Sequence, residues 1–262
     1  MYIQFLLVTI MPAIPESPRP VLLEQLLRRD DLWRGHSRRF TAQPSVDTGH
    51  ASLNGELLHK GWPLGALVEI CQRGFQGEWQ LFMPALLALH PGLIVLLNPP
   101  AEPFSQALLQ AGMDLDRLVV INAPDKTRFL ACFTELARTS GCGAILGWQP
   151  RDHFTYTEVR KCLLAASEGA GLPILFRPSA VQQQSSPAPL RLFSQVVPDG
   201  LEVTVFKQKG VLQRYQPRPL VLPLPPAWQG APPYHVLDRQ PHPDQKRGGV
   251  PGTDIVDIRE SS

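Results

Sequence analysis

Four residues, Gly74, Gly77, Glu78 and Trp79, stand where a phosphate-binding loop would do its chemistry. They lie within GWPLGALVEICQRGFQGEWQLFMPALLAL (Gly61–Leu89). There a turn with Gly61, Pro63 and Gly65 leads into the apolar run Ala66–Cys71, then a glycine-bearing loop, then a second apolar segment. Such a loop works because successive backbone N–H groups and a helix N-terminus surround an anion. A lysine neutralises the β- and γ-phosphates, and a Ser or Thr hydroxyl holds magnesium. Here Glu78 and Trp79 occupy those two positions. A carboxylate repels a polyphosphate, and an indole offers magnesium no oxygen. Glu78 instead suits the positive end of its own helix, so the protein's own carboxylate is expected to fill the anion-binding end.

Two other positions lack catalytic chemistry. The apolar run CGAIL ends in Gly147-Trp148, not in a magnesium-holding acid, and Gly92–Leu97 is followed by Asn98-Pro99-Pro100. Glu102 nearby reads as a dipole partner at a helix start. The four cysteines (Cys71, Cys132, Cys142, Cys162) form no CxxC pair and the seven histidines are scattered. Neither a metal site nor a disulfide framework is expected, which suits a reducing cytosol. No Ser-His-Asp or Cys-His arrangement stands out. The sequence points to a non-enzyme with no catalytic residue, no metal and no cofactor. A net charge of +2 argues neither for nor against nucleic acid.

The elements that must position these residues alternate regularly. Strands are expected at 66–71, 92–97, 118–122, 143–147 and 173–176, and helices at 79–89, 103–111, 126–140 and 156–169. The strands are apolar runs, as in a sheet covered on both faces. The alternation predicts an α/β fold with a mostly parallel sheet flanked by helices. Two alternating segments, Leu190–Val197 and Leu201–Lys207, joined by PDG, predict a late hairpin.

Outside this core, residues 1–20 read as irregular. YIQFLLVTI is too short to span a bilayer and lacks a basic flank. Either the working protein starts at Met11 or the chain begins with a short exposed apolar tail. Residues 21–60 hold an amphipathic helix, Val21–Trp33, and a lead-in to the core at 61–216. Residues 217–262 form a proline-rich tail, expected to be disordered because it buries too little apolar surface. Its patch Pro219–Trp228 is either an extended docking segment or a cover for the domain surface.

Trp148 and Arg177 follow the fourth and fifth strands, at the edge where open α/β sheets bind ligands and partners. They are candidate interface anchors, unless Trp148 packs under a loop and Arg177 pairs with a local carboxylate. Leu22 and Leu26 belong to an apolar helix stripe that docks on a partner or on its own domain. Two basic clusters are candidate DNA contacts, one with Arg28, Arg29, Arg38 and Arg39, the other with Lys207 and Lys209.

DTGHASLNGELLHKGWPLGALVEI, LLQAGMDLDRLVVINAP and LRLFSQVVPDGLEVTVFKQKG resemble the lead-in, a helix–strand unit and the late strands of the RecA-type recombinase core. The loop Ser179–Pro189 falls where recombinases carry a DNA-binding loop, but it is short and has no basic residue. Within that superfamily, LLRRDDLWRG, GWPLGALVEI, AILGW and LPILFRP are similar to ImuA, over roughly 21–210. That resemblance implies a RecA-like accessory protein of damage-induced translesion synthesis. Its implied partners are a Y-family-like ImuB-type protein, an error-prone DnaE-type polymerase, and in some settings RecA and DNA, in the cytoplasm at the nucleoid. The stretch AILGWQPRDHFTYTEVRKCLLAASEGAGLPILFRP also resembles SulA, an inhibitor of the tubulin-like division protein. SulA lacks most of the lead-in and the late hairpin, which favours the ImuA reading.

Overall fold

A computed structural model describes residues 43–74, 77–211 and 217–223 of the chain, all within a unit that starts at Gln43. The lead-in holds β1 (Ser45–Val46), α1 (Ala51–Glu56) and β2 (Trp62–Pro63), with β1 and β2 paired antiparallel. β3 (Val68–Gln72) then enters the main sheet. A 3-10 turn (Glu78–Phe82) and α2 (Met83–Ala88) follow, then β4 (Leu93–Leu97), α3 (Ser105–Gln110) and β5 (Leu118–Ile121). The second half of the crossovers comprises α4 (Lys126–Arg138), β6 (Cys142–Trp148), α5 (Tyr156–Glu168) and β7 (Leu172–Pro178). β8 (Leu190–Val197), β9 (Gly200–Gln208) and β10 (Pro219–Leu222) end the described chain.

The eight-stranded sheet has the order β10-β9-β8-β3-β7-β6-β4-β5. From β8 to β5 every neighbouring pair is parallel. β9 and β10 add antiparallel strands at one end. The expected α/β architecture and late hairpin are therefore present. β3, the strand that leads toward Gly74–Trp79, lies between β7 and β8, so the connection from β7 to β8 crosses over it.

Alternate residues of each strand feed two cores. One face of the sheet packs Val68, Ile70, Leu146, Trp148, Ile174 and Phe176 against Leu53 of α1 and Leu81, Phe82 and Leu86 of the turn and α2. The other packs Leu67, Val95, Ile145 and Leu175 against α4 and α5. α4 supplies Phe129, Phe133 and Ala137, four residues apart, and α5 supplies Val159, Cys162 and Ala166. Those spacings put each set on one helical face.

The two long helices start where the sequence supplies caps. Asp125 accepts a hydrogen bond from the backbone N–H of Arg128. Thr155 and Glu158 form a reciprocal capping box at the start of α5. Burial opposes ionisation of Glu158, but the Thr155 N–H and the Lys126 ammonium at 3.0 Å outweigh it and hold the carboxyl below its ordinary range. A depressed folded-state pKa makes this contribution complete above the unfolded value and lost as pH falls through the folded one. Thr155→Ala is expected to cost about 1 kcal/mol at pH 7 in urea unfolding. Glu158→Gln is expected to cost less at acid pH than at pH 7.

The tail expected to be disordered from residue 217 is corrected over Pro219–Leu222, which pairs antiparallel with β9. Leu222 is buried in the main core. An edge strand tolerates the proline that made this segment read as non-strand. The β8–β9 turn is shaped to receive it: Gly200 has φ +153°, and a Cβ there would come within 2.1 Å of the Leu222 carbonyl oxygen. Gly200→Ala is expected to detach β10, seen as lost amide protection over 219–222. Unchanged protection would show that β10 is held without this close approach. The remainder of the tail, residues 1–42 and the Val21–Trp33 helix lie outside the described residues.

Candidate functional site

The chain leaves β3 at the carboxyl edge of the parallel strands. Gly77 adopts φ 108°, a left-handed conformation that glycine reaches without strain, and caps the 3-10 turn. Glu78 opens that turn and is buried, 2% exposed. Trp79 is half-buried and Gly74 partly so, while residues 75 and 76 are outside the described set. The helix expected over 79–89 is split into a 3-10 turn and α2. Pro84, in the first turn of α2, breaks the continuity because it has no N–H to donate.

Beside the turn is a cleft of about 170 Å³, lined by Gln72, Gly77–Trp79, Leu96, Pro99–Phe104 and Trp148. It spans from the end of β3 to the end of β4, at the edge where open α/β sheets bind ligands. Its volume is well below the roughly 300–1,000 Å³ of ordinary small-molecule pockets. Asn98, at the position where an acid might follow β4, has a structural task. It adopts φ 54°. Its side-chain oxygen accepts from the Ala123 N–H at 2.6 Å and its amide donates to the Ala123 carbonyl at 2.8 Å. This ties β4 to the end of β5 and sets the direction of the prolines that wall the cleft.

Trp148 is not an exposed anchor. It is 5% exposed, and its ring stacks on Phe176 with centroids 4.7 Å apart and planes 9° from parallel. Phe176 meets Phe82 edge-on, and Phe82 meets Trp62 at 4.6 Å. This aromatic row runs beneath the 3-10 turn and forms the floor that carries it.

Arg177 is also buried, 3% exposed, on the opposite face of the sheet. It is paired with a carboxylate, and that carboxylate is Glu69 in the middle of β3, at 3.4 Å. Its other nitrogens donate to the Gln149 side chain and the Phe154 carbonyl. Arg191 of β8 donates to the same Glu69 oxygen from two nitrogens, at 2.9 and 2.7 Å. Ser186 donates its hydroxyl to the second Glu69 oxygen. Arg191 further donates to the carbonyls of Val181, Gln182 and Gln184. The segment Ser179–Pro189 is thereby strapped over β3, with Val181 and Ala188 buried. Cys71, enclosed here, has its thiol pushed up to about 12 by burial and by Glu69.

Lys207 is partly buried beside this cluster. It donates to the Ser186 carbonyl at 2.5 Å, and burial, then Arg191, lowers its pKa. Lys209 is exposed. Leu22, Leu26, Arg28, Arg29, Arg38 and Arg39 fall outside the described residues. Sequence reading passed over Glu69, Arg191, Ser186 and Gln72. The signal was present for two of them, since a charge inside an apolar strand covered on both faces must be paired.

Among the described residues no group of three or more His, Cys, Asp or Glu is placed to hold a metal ion, and no helix is long and apolar enough to cross a membrane. No protein-family model matches the chain, and no curated protein matches it.

Proposed function

We propose that this chain is a RecA-like accessory protein that has given up nucleotide chemistry and acts through protein contacts. The observation that carries the reading is Glu78. It is buried at the start of the turn after β3, where a phosphate would sit, with Trp79 following in place of a magnesium-binding hydroxyl. The small cleft supports it, because about 170 Å³ is well below what an ordinary small-molecule pocket offers. The position of β3 between two crossover strands supports the RecA-like reading of the fold. Read with the ImuA resemblance, the role is support of damage-induced translesion synthesis in the cytoplasm, beside a Y-family-like protein, an error-prone polymerase and the recombinase. The strapped Ser179–Pro189 segment, with no cation of its own, disfavours this loop as a DNA contact.

The test is a tagged pull-down from DNA-damaged cells with the bound proteins identified by mass spectrometry. Recovery of the Y-family-like protein, the polymerase or the recombinase is the expected result. Recovery of the tubulin-like division protein instead would transfer the assignment to a SulA-like inhibitor.

A further inference from the structure

We infer that the cleft at the carboxyl edge is a peptide-docking site. It takes one large apolar side chain of a partner protein, next to a lysine or arginine, with the partner's backbone held by Gln72. The inference rests on the protein-contact reading above and names the chemistry of the contact.

Gln72 is the first reason. It is the last residue of β3, is 4% exposed, and lines the cleft. Its side-chain amide makes no hydrogen bond to any described residue, and neither of its polar atoms is sealed from solvent, so the amide is open to the cleft. One carbonyl oxygen and one NH₂ group match the N–H and C=O of an extended peptide. The cleft volume of about 170 Å³ is the second reason, since it holds a single large side chain and little more. Its walls are apolar, made by Trp79, Leu96, Pro99 and Trp148. At the rim Phe104 is 70% exposed, an aromatic surface of the kind that anchors protein interfaces. Charge supplies the third. Glu102, exposed at the rim, is acidic, and among the described residues no lysine or arginine lines the cleft. A basic neighbour of the inserted side chain gains from that field, and a phosphate or acidic peptide loses.

The experiment uses the full chain, immobilised against a phage-displayed library of random dodecapeptides. Enriched sequences are then synthesised and titrated by fluorescence anisotropy. The expected motif is one aromatic or large aliphatic residue beside Lys or Arg. Glu102→Lys and Phe104→Ser, both exposed and compatible with folding, and Gln72→Ala are each expected to weaken binding about tenfold or more. Val221→Ser, on the exposed part of β10, is expected to leave it unchanged. No enriched motif, an acidic motif, or affinity indifferent to all three cleft variants overturns the inference. So does a dimer of this chain that the same variants abolish, which would assign the cleft to a second copy.

The two readings fail separately. If a Glu102→Lys, Phe104→Ser protein still recovers the translesion partners, the cleft proposal falls and the function stands. If peptides bind as expected but none of those partners is recovered, the cleft stands and the assignment falls.

Discussion

Glu69→Gln is expected to remove about 3–5 kcal/mol of stability, because it strips the carboxylate from two buried guanidiniums. Arg177 and Arg191 converge on one Glu69 oxygen, and all three side chains are at most 5% exposed. With the carboxylate gone, two like charges face each other away from water. Urea unfolding followed by circular dichroism reads the loss directly. A drop below about 1 kcal/mol would show that water reaches the cluster. Replacing all three residues together, by Leu, Met and Met, removes the unbalanced charge and is expected to cost less than Glu69→Gln alone. The triple variant also loses the Arg191 bonds to Val181, Gln182 and Gln184. Protease cleavage within 179–189 should therefore rise even where global stability recovers.

Phe176→Ala is expected to cost about 3–5 kcal/mol through the cavity it leaves. Phe176 is 1% exposed and joins Trp148, stacked on one side, to Phe82, edge-on at 6.0 Å on the other. Its removal takes away the support of both the cleft wall and the 3-10 turn. The variant should also weaken any peptide that the cleft binds, and the smaller truncation Phe176→Leu should weaken it less. A loss below about 1.5 kcal/mol would mean that Trp148 collapses into the gap, which red-edge tryptophan fluorescence would report.

The sheet was legible because its strands are apolar runs with clear ends. Leu190–Val197 is present as expected, and the expected 118–122 strand runs over Leu118–Ile121. The starts of α4 and α5 at Lys126 and Tyr156 were legible because Asp125 and Thr155 are cap residues. β10 was not, since the proline-rich composition suggested a disordered tail and only the pairing with β9 makes Pro219–Leu222 a strand. The exposure of Trp148 and Arg177 depended on partners far away in sequence. Trp148 meets Phe176 because β6 pairs with β7, and Arg177 meets Glu69 because β7 pairs with β3. β6 and β7 are consecutive strands, but β3 and β7 are not, and no periodicity reveals that second pairing. That Glu78 and Trp79 stand where a phosphate loop would need a lysine and a hydroxyl could be read from the sequence alone. The unpartnered amide of Gln72 required the folded chain.

The proposed function requires that this chain does not bind nucleotide at Gly74–Trp79. Titrating the purified full chain with a fluorescent ATP analogue, with and without magnesium, tests it most directly. No saturable, magnesium-dependent signal is expected up to millimolar nucleotide. Tight binding that requires magnesium would contradict it, because Glu78 and Trp79 would then have to accommodate the polyphosphate and metal that their chemistry opposes.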